Sequence, residues 1–549
     1  MKRNITLIFL LSILGFGFLL QIHATPFPQT REEPLKYEIE VVVVDIPVYV
    51  IDKEGNPVLD LKPEDFAIYE NGKEQKITYF TLVQNDSPEI VSLARRYPAV
   101  RRQFFLLFDL SFASPKGILR ARETGLNFVK EKILPTDLVA VATYSILSGV
   151  QILVNFTNDR DQLLSAIDTL GLVKVTQRVK DPAGFSFGPV IAQEPSDVSG
   201  DKATGGARDV FQEELRALEE KIKKIRESNY AGYVADFIED LQILGQSLNI
   251  VEGRKHIIYF SEGFDSKILT GKSLKEFEKD TQSFVQGRYW EIDPNRFGDS
   301  SIRMNLYNAL KDVVSSDCLI HTVDLGGLRT VSADLNTLSG TSKDQALIQR
   351  GQITLNLLSS ETGGKAYRNV NNLDQPLEDI LKLTNSYYLL GYSPTDKKKE
   401  GKFRKLKVKV KRPNLQVSYR KGYYEDKPYK DYSSLEKQLQ LAEYVVKDIP
   451  SQEIKVDSFV SAFRGNKGIT QVPVFLKFPG NQFLEKNRKS KEINLEIYGY
   501  AISSSGQFRD FFHQTLKINL KKAKRKLETT GIKYYDLLLV PPGDYKIKC

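Results

Sequence analysis

The sequence predicts an α/β protein built on a doubly wound, mostly parallel sheet and flanked by small β modules. Short apolar runs alternate with helix-like stretches over residues 100–395, which is typical of strands covered by helices on both faces. Short strand-like runs separated by turn residues lie before and after this region. The chain has 549 residues, 41% hydrophobic and 27% charged, so we expect several folded domains.

The first 24 residues have the features of a secretory signal peptide. Lys2 and Arg3 precede an apolar run over residues 5–20. Ala24 ends a segment that resembles a signal-peptidase cleavage site with a small residue. No later uncharged apolar stretch is long enough to span a membrane. We therefore expect a secreted or periplasmic protein without a stable membrane span after cleavage. An uncleaved N-terminal anchor is the alternative.

A small β module is predicted over residues 36–90. Its apolar and β-branched runs are broken by EGNP at residues 54–57 and by ENGK at residues 70–73. Asn and Gly accept the positive φ of tight hairpin turns, so these breaks indicate short antiparallel strands.

The α/β domain is predicted over residues 100–395, with an insertion around residues 173–233 that is rich in Gly, Pro and Ser and then in charge. An acid or hydroxyl residue follows several of its apolar runs, as parallel strands with functional loops do. The predicted strands cover residues 103–109, 138–145, 150–154, 256–260, 318–323 and 365–367, and the first helices cover residues 116–133 and 159–170.

Two further β segments are predicted after the α/β domain. Residues 396–428 form a β ribbon that we expect to extend the α/β domain, and in it lysines at 405, 407, 409 and 411 alternate with apolar residues. Residues 433–549 suggest a β-sandwich-like domain. The sequence stops within a strand-like pattern, so either the last strand is short or the domain is truncated.

The residue content excludes several classes of site. With two cysteines and four dispersed histidines, the chain has no disulfide framework and no HExxH zinc motif. It also lacks a GxSxG nucleophile motif, so we expect no enzyme. The net charge of +9 is concentrated at residues 397–412 and 521–526. For an exported protein this favours an anionic surface polymer over nucleic acid, but solvated strand and helix faces are the simpler explanation of the charge.

The order of several motifs resembles bacterial proteins that carry a von Willebrand factor A-related domain. The resemblance covers residues 37–424 and implies a von Willebrand A-like fold and secretion; it does not imply an enzyme. It rests on NPVLDLKPEDFAIYENGK, FFLLFDLSFASPKG, EGRKHIIYFSEGF, LIHTVDLGGLR, SYYLLGYSPTD and FRKLKVKVKRP, read in chain order.

The resemblance also implies a metal-ion-dependent adhesion site that binds Mg²⁺ or another divalent cation. Its Asp-x-Ser-x-Ser loop matches at Asp109 and Ser111, but Ala113 replaces the second serine. Glu262 stands where the related domains have an aspartate, and Thr204 is a weak candidate for the threonine ligand. Oxygen ligands of this kind suit Mg²⁺.

An alternative role for Asp109 and Ser111 is to cap the helix that follows Pro115. The main functional hypothesis is a secreted, non-enzymatic module that binds a protein or an anionic surface polymer through a degenerate adhesion site. A structural scaffold of a cell-envelope assembly without metal is the second hypothesis. An uncharacterised extracellular hydrolase is the third.

Overall fold

The computed structural model describes residues 43–85, 87, 90, 94, 100–170, 182–183, 230–271, 298–327, 341–394, 403–424, 429–446, 454–465, 468–487 and 490–549. The predicted signal peptide and most of the predicted insertion lie outside these residues. The described residues all belong to the unit Val43–Cys549. Within them, no helix has the length and apolar character needed to cross a membrane.

Strands and helices are numbered in chain order over the described residues. The strands are β1 (Val44–Ile51), β2 (Phe66–Glu70), β3 (Lys73–Gln75), β4 (Ile77–Gln84), β5 (Gln103–Asp109), β6 (Leu138–Ser145), β7 (Gly149–Thr157), β8 (Lys255–Ser261), β9 (Cys318–Asp324), β10 (Ala366–Tyr367), β11 (Ser386–Tyr392), β12 (Phe403–Val410), β13 (Gln416–Ser418), β14 (Gly422–Tyr424), β15 (Asp457–Val460), β16 (Phe463–Arg464), β17 (Thr470–Phe478), β18 (Glu492–Ser503), β19 (Phe508–Asn519), β20 (Ile532–Val540) and β21 (Tyr545–Lys548). The helices are α1 (Pro115–Asn127), α2 (Arg160–Asp168), α3 (residues 230–248), α4 (Lys267–Thr270), α5 (Ser300–Ser315), α6 (Thr341–Thr362), α7 (Asp374–Leu383), α8 (Ser434–Val446), α9 (Asn481–Lys486) and α10 (Leu520–Thr530).

A six-stranded sheet forms the centre, in the order β10-β9-β8-β5-β6-β7. Neighbouring strands are parallel except for β7, which runs antiparallel to β6 at the edge. Every residue of β5, β6, β8 and β9 is buried, as expected for strands covered on both faces. The prediction of an α/β protein with a mostly parallel sheet is confirmed.

Each face of this sheet packs against helices. In β5, Phe105 and Leu107 point into a core shared with α3, α5 and α6. Phe104, Leu106 and Phe108 point to the opposite face, into a core shared with α1, α2 and α7. Alternating side chains of one strand therefore contribute to two separate cores, which explains why the strand is apolar from Phe104 to Phe108.

Two smaller antiparallel sheets enclose a third core, in the orders β13-β1-β11-β4 and β14-β12-β2-β3. Their strands come from both ends of the α/β region, because β11 lies between β1 and β4, and β12 pairs with β2. The expectation that the ribbon at residues 396–428 extends the α/β domain is therefore wrong. Its described strands complete the N-terminal β module instead.

The C-terminal described residues contain two further antiparallel sheets. In one, β17 pairs with β15 and β16 along one side and with β20 along the other. The second has the order β19-β18-β21. Their facing side chains, among them Val474, Leu538 and Ile497, form a common core.

Candidate functional site at the carboxyl edge of the central sheet

The strand order of the central sheet reverses between β5 and β8. From β5 the chain proceeds to β6 and β7 on one side, whereas β8, β9 and β10 lie on the other. In open α/β sheets, ligands bind outside the carboxyl ends of the strands at such a reversal. Asp109 and Ser261 end the two strands, and Glu262 follows Ser261. Two of the predicted site residues, Asp109 and Glu262, therefore lie at the same edge.

Asp109 is 1% exposed and accepts four hydrogen bonds. Its Oδ1 accepts from the backbone N–H groups of Ser111 and Phe112, both at 2.8 Å. Its Oδ2 accepts from the hydroxyls of Tyr259 and Ser261, both at 2.6 Å. Burial raises the pKa of Asp109 despite the opposing effect of these four donors. The carboxylate thus joins β8 to the loop that follows β5.

Ser111 and Ser114 connect this loop to its neighbours. The Ser111 hydroxyl accepts a hydrogen bond from the backbone N–H of Ile146, at 2.8 Å, in the turn after β6. Ser114 is the N-cap of α1, and its hydroxyl accepts from the Gly117 N–H at 3.2 Å. The alternative in which Asp109 and Ser111 cap α1 is therefore wrong, because Asp109 instead stabilises the turn that precedes the cap.

Glu262 reaches back from the end of β8 to the start of α1. Its Oε1 accepts from the Ser114 hydroxyl at 2.6 Å and from the Ser114 backbone N–H at 3.1 Å. The carboxylate is half-buried. We refer to Asp109, Ser111, Ser114, Tyr259, Ser261 and Glu262 as the Asp109 cluster.

Helix α6 covers the β9 side of this edge. Asp324, at the end of β9, accepts from Gly326 N–H at 2.9 Å and from Gln352 Nε2 of α6 at 2.8 Å. The helix backbone comes very close at Gly351, where an added Cβ would lie 2.3 Å from the carbonyl oxygen of Glu262. Only glycine permits this approach.

Tyr144 lies beside Asp109 at the end of β6. Its hydroxyl is buried and has no hydrogen-bond partner among the described residues. Burial and the negative charge of Asp109 raise the pKa of Tyr144. Asp240 of α3 adds to this effect, and its own pKa is raised by burial and by Asp236. This side of the edge is therefore acidic.

The residues present do not fit a divalent cation coordinated directly by Asp109. Each of its oxygens already accepts two hydrogen bonds, so a bound ion would have to displace a backbone N–H or a hydroxyl. Across the part of the chain that the structure describes, no group of three His, Cys, Asp or Glu side chains is placed to hold a metal. Thr204 lies outside the described residues.

Sequence reasoning missed three members of the Asp109 cluster: Ser114, Tyr259 and Ser261. Tyr259 and Ser261 are two residues apart on β8, so their side chains share a face of the sheet. The sequence shows this spacing, but only the pairing of β8 with β5 shows that both hydroxyls reach Asp109.

Comparisons with known proteins give only distant similarity. No family model matches the chain, and no curated protein matches it. An aerotolerance-related membrane protein from Bacteroides fragilis NCTC 9343, with multiple mutations to serines, has a similar structure at 10% identity and a TM-score of 0.24, covering 52% of this chain and 98% of that one. The pilus adhesin SpaC from Lactobacillus rhamnosus GG, in its open conformation, matches at 8% identity and a TM-score of 0.24, covering 90% of this chain and 56% of that one.

Proposed function

We propose that this protein is a secreted, non-enzymatic recognition module with a von Willebrand A-like central domain. It binds a protein or a surface polymer at the carboxyl edge of the six-stranded sheet. The observation that carries the proposal is the Asp109 cluster, where two carboxylates lie at the strand-order reversal and each is held by hydroxyl and backbone donors. The adhesion site is degenerate, because internal hydrogen bonds replace a metal ion.

The chemistry of the cluster supports binding over catalysis. The hydroxyls of Ser114 and Ser261 each donate to a carboxylate, and the Ser111 hydroxyl accepts from a backbone N–H. A serine nucleophile needs an adjacent base, usually histidine, to accept its proton. The cluster contains no histidine. The basic and apolar first 24 residues support secretion.

Thermal unfolding with and without divalent cations tests the metal-free form of the proposal. We expect the melting temperature of the full chain to stay constant when Mg²⁺, Mn²⁺ or Ca²⁺ is added at millimolar concentration. An ion that binds only the folded state would raise the melting temperature progressively with concentration. Such a rise, lost in Asp109→Asn, would contradict the proposal and restore a metal-dependent site.

Partner capture tests the binding role itself. Glu262 is the half-buried carboxylate of the cluster, so Glu262→Lys reverses charge at the proposed binding edge. We expect wild-type protein to retain a component of a bacterial envelope fraction in the presence of EDTA, and Glu262→Lys to lose it. Glu361→Lys, at an exposed position of α6, is the matched control. Equal retention by all three proteins would favour the metal-free scaffold instead.

A further inference from the structure

The C-terminal sheet that contains β17 has one face in the core and one in solvent. Val472, Val474 and Leu476 are buried against the second sheet. Side chains one position away point outward. On this outward face, Phe475 is 45% exposed and Tyr535 of β20 is 54% exposed. Large aromatic side chains in such positions mark an interaction surface.

The exposed rings form a continuous row across three strands. Strand register places Phe459 opposite Phe475, and Phe475 opposite Tyr535. The ring centroids are 6.1 Å and 4.8 Å apart along this row. A second row on the same face has Phe463 and Leu539 on either side of Gln471. We call these six residues the aromatic face: Phe459, Phe463, Gln471, Phe475, Tyr535 and Leu539.

Positive charge borders one end of the aromatic face. In the next row, Lys477 of β17 lies between Asp457 of β15 and Lys533 of β20. Lys477 is 4.0 Å from Asp457, and it also lies directly opposite Lys533. Like charges in this arrangement repel, and a bound anion relieves the repulsion.

Helix α10 adds five exposed cations near the lysine end. The helix leads through Gly531 directly into β20, where Ile532 pairs with Phe478. Its backbone packs on the turn after β17, since an added Cβ at Gly480 would lie 2.0 Å from the Leu527 carbonyl oxygen. The cations are Lys521, Lys522, Lys524, Arg525 and Lys526.

We propose that the aromatic face and its lysine end bind an anionic polysaccharide, such as a polymer of uronic acids. Sugar rings present C–H groups that pack on aromatic rings, and hydroxyls that bond to Tyr535 and Gln471. Their carboxylates match the charge of Lys477 and Lys533. This surface is separate from the Asp109 cluster, and the inference does not rest on the function proposed for that cluster.

Two other occupants fit the surface less well. Insertion into a bilayer would bury the Gln471 amide and the Tyr535 hydroxyl in hydrocarbon, where they lose their hydrogen bonds to water. A second copy of this chain would bring two positively charged rims together, which disfavours association. A sugar polymer satisfies the apolar, polar and charged parts together.

Binding of the full chain to polygalacturonate tests the proposal, with alginate as a second uronate polymer. We expect wild-type protein to bind both, more weakly at 500 mM than at 50 mM NaCl, since salt screens the charges. Phe475→Ala should weaken binding about tenfold, as loss of a central aromatic contact does. Lys477→Ala and Lys533→Ala should each weaken it several-fold. All these positions are exposed, so folding should be retained.

Matched controls remove an aromatic ring or a lysine elsewhere. Tyr307→Ala acts at an exposed position of α5 and Lys407→Ala at an exposed position of β12, and both should bind like wild type. Fully methyl-esterified polygalacturonate, which keeps its rings but loses its charge, should bind clearly more weakly.

Several outcomes would overturn the proposal. These are failure to bind either polymer, unchanged binding by Phe475→Ala, and equal binding of the methyl-esterified polymer. Binding to phosphatidylglycerol vesicles without binding to the polymers would assign the face to a lipid surface. A dimer that Phe475→Ala dissociates would assign it to a second copy of the chain. None of these outcomes depends on Glu262, so the proposal for the Asp109 cluster is tested independently.

Discussion

Asp109 shows how one buried carboxylate can organise a sheet edge through hydrogen bonds. Its four donors come from two segments that are about 150 positions apart in the sequence. Burying a carboxylate is costly unless its oxygens accept hydrogen bonds. Here all the bonds are internal, so the side chain contributes mainly to the stability of the loop between β5 and α1.

We predict that Asp109→Asn lowers the free energy of unfolding by about 1–3 kcal/mol, because the amide has only one accepting oxygen and its NH2 group would face two of the four donors. Asp109→Ala should cost more, since it leaves all four donors without their acceptor. Urea unfolding followed by circular dichroism measures both. Asp161→Asn, at the exposed first turn of α2, is the control. Wild-type stability in Asp109→Ala would refute the structural role.

His256 and His321 form a buried pair within the central sheet. Their ring nitrogens, Nδ1 of His256 and Nε2 of His321, are 3.1 Å apart. Burial, together with the positive charges of Lys365 and Arg254, lowers the pKa of His321 to about 4. Burial, His321 and Arg254 likewise hold the pKa of His256 well below its usual value. Both rings are therefore neutral in the folded protein at neutral pH.

This pair should make the folded protein less stable in acid. In the unfolded chain, histidine takes up a proton near pH 6.5, whereas folded His321 does so only near pH 4. Between these values the unfolded state binds more protons, so stability falls as the pH falls, by up to about 1.4 kcal/mol per pH unit for each proton.

The matching experiment compares urea unfolding at pH 7, 6 and 5. His321→Gln removes one titrating group, and it should show a shallower loss of stability toward pH 5 than wild type. His513→Gln is the control, because His513 is exposed. A slope that is the same in wild type and His321→Gln would count against the prediction.

At the scale of single residues, the sequence identified Asp109, Ser111 and Glu262 but not their partners. An acidic residue after an apolar strand is a local pattern that the sequence displays. Whether its oxygens face a metal, water or hydroxyls depends on the strand that lies next to it. Here Tyr259 and Ser261 of β8 provide the hydroxyls, and they are distant in sequence.

At the scale of elements, the contact between α6 and the loop after β8 controls the shape of the carboxyl edge. Gly351 of α6 and Glu262 meet backbone to backbone. Thr354, one turn later, donates to the carbonyl oxygen of Phe264 at 2.9 Å. These contacts hold the loop that positions the Glu262 carboxylate.

We predict that Gly351→Ala lowers the free energy of unfolding by about 1–3 kcal/mol, because the new methyl group meets a backbone oxygen that has little room to move. Denaturant unfolding measures the loss. Ile353→Ala, two positions away with its side chain half exposed, should change stability by less than about 0.5 kcal/mol. Equal stability of the two variants would show that the loop adapts to the helix.

The β12 strand illustrates what an element's own pattern can and cannot reveal. Alternation correctly predicts that Lys405, Lys407 and Lys409 share an exposed face and that Leu406 and Val408 are buried. It does not identify the partner. The inward face of β12 fits any apolar layer, and the structure places it against β2 rather than the six-stranded sheet.

At the scale of the whole molecule, the N-terminal β module is built from two separate parts of the chain. Strands β1–β4 precede the α/β region, and β11 and β12 follow it and pair with them. The returning strand β11 pairs with both β1 and β4, and Tyr388 and Leu390 are buried in their common core. Buried aromatic contact also links this module to the central sheet, since Tyr49 packs edge-on against His256 with ring centroids 6.3 Å apart. The two regions therefore depend on each other for burial.

Residues 100–549 expressed without the N-terminal module should be insoluble, because β11 and β12 would expose their apolar faces and unpaired edges. Coexpression of residues 36–99 as a separate chain should restore soluble protein. Size-exclusion chromatography and soluble yield measure both. A soluble, monomeric 100–549 fragment with an unchanged melting temperature would disprove this dependence.

The sequence by itself determined the α/β class, the mostly parallel sheet and the positions of the carboxyl-edge residues, because strand and helix periodicity is a local property of the chain. Only the tertiary structure decided that β11 and β12 complete the N-terminal module, that hydroxyl and backbone donors saturate Asp109, and that Gln471, Phe475 and Lys477 of β17 face solvent. In TQVPVFLKF both alternating faces carry apolar residues, so local pattern does not distinguish them. Pairing and burial arise from contacts between distant segments.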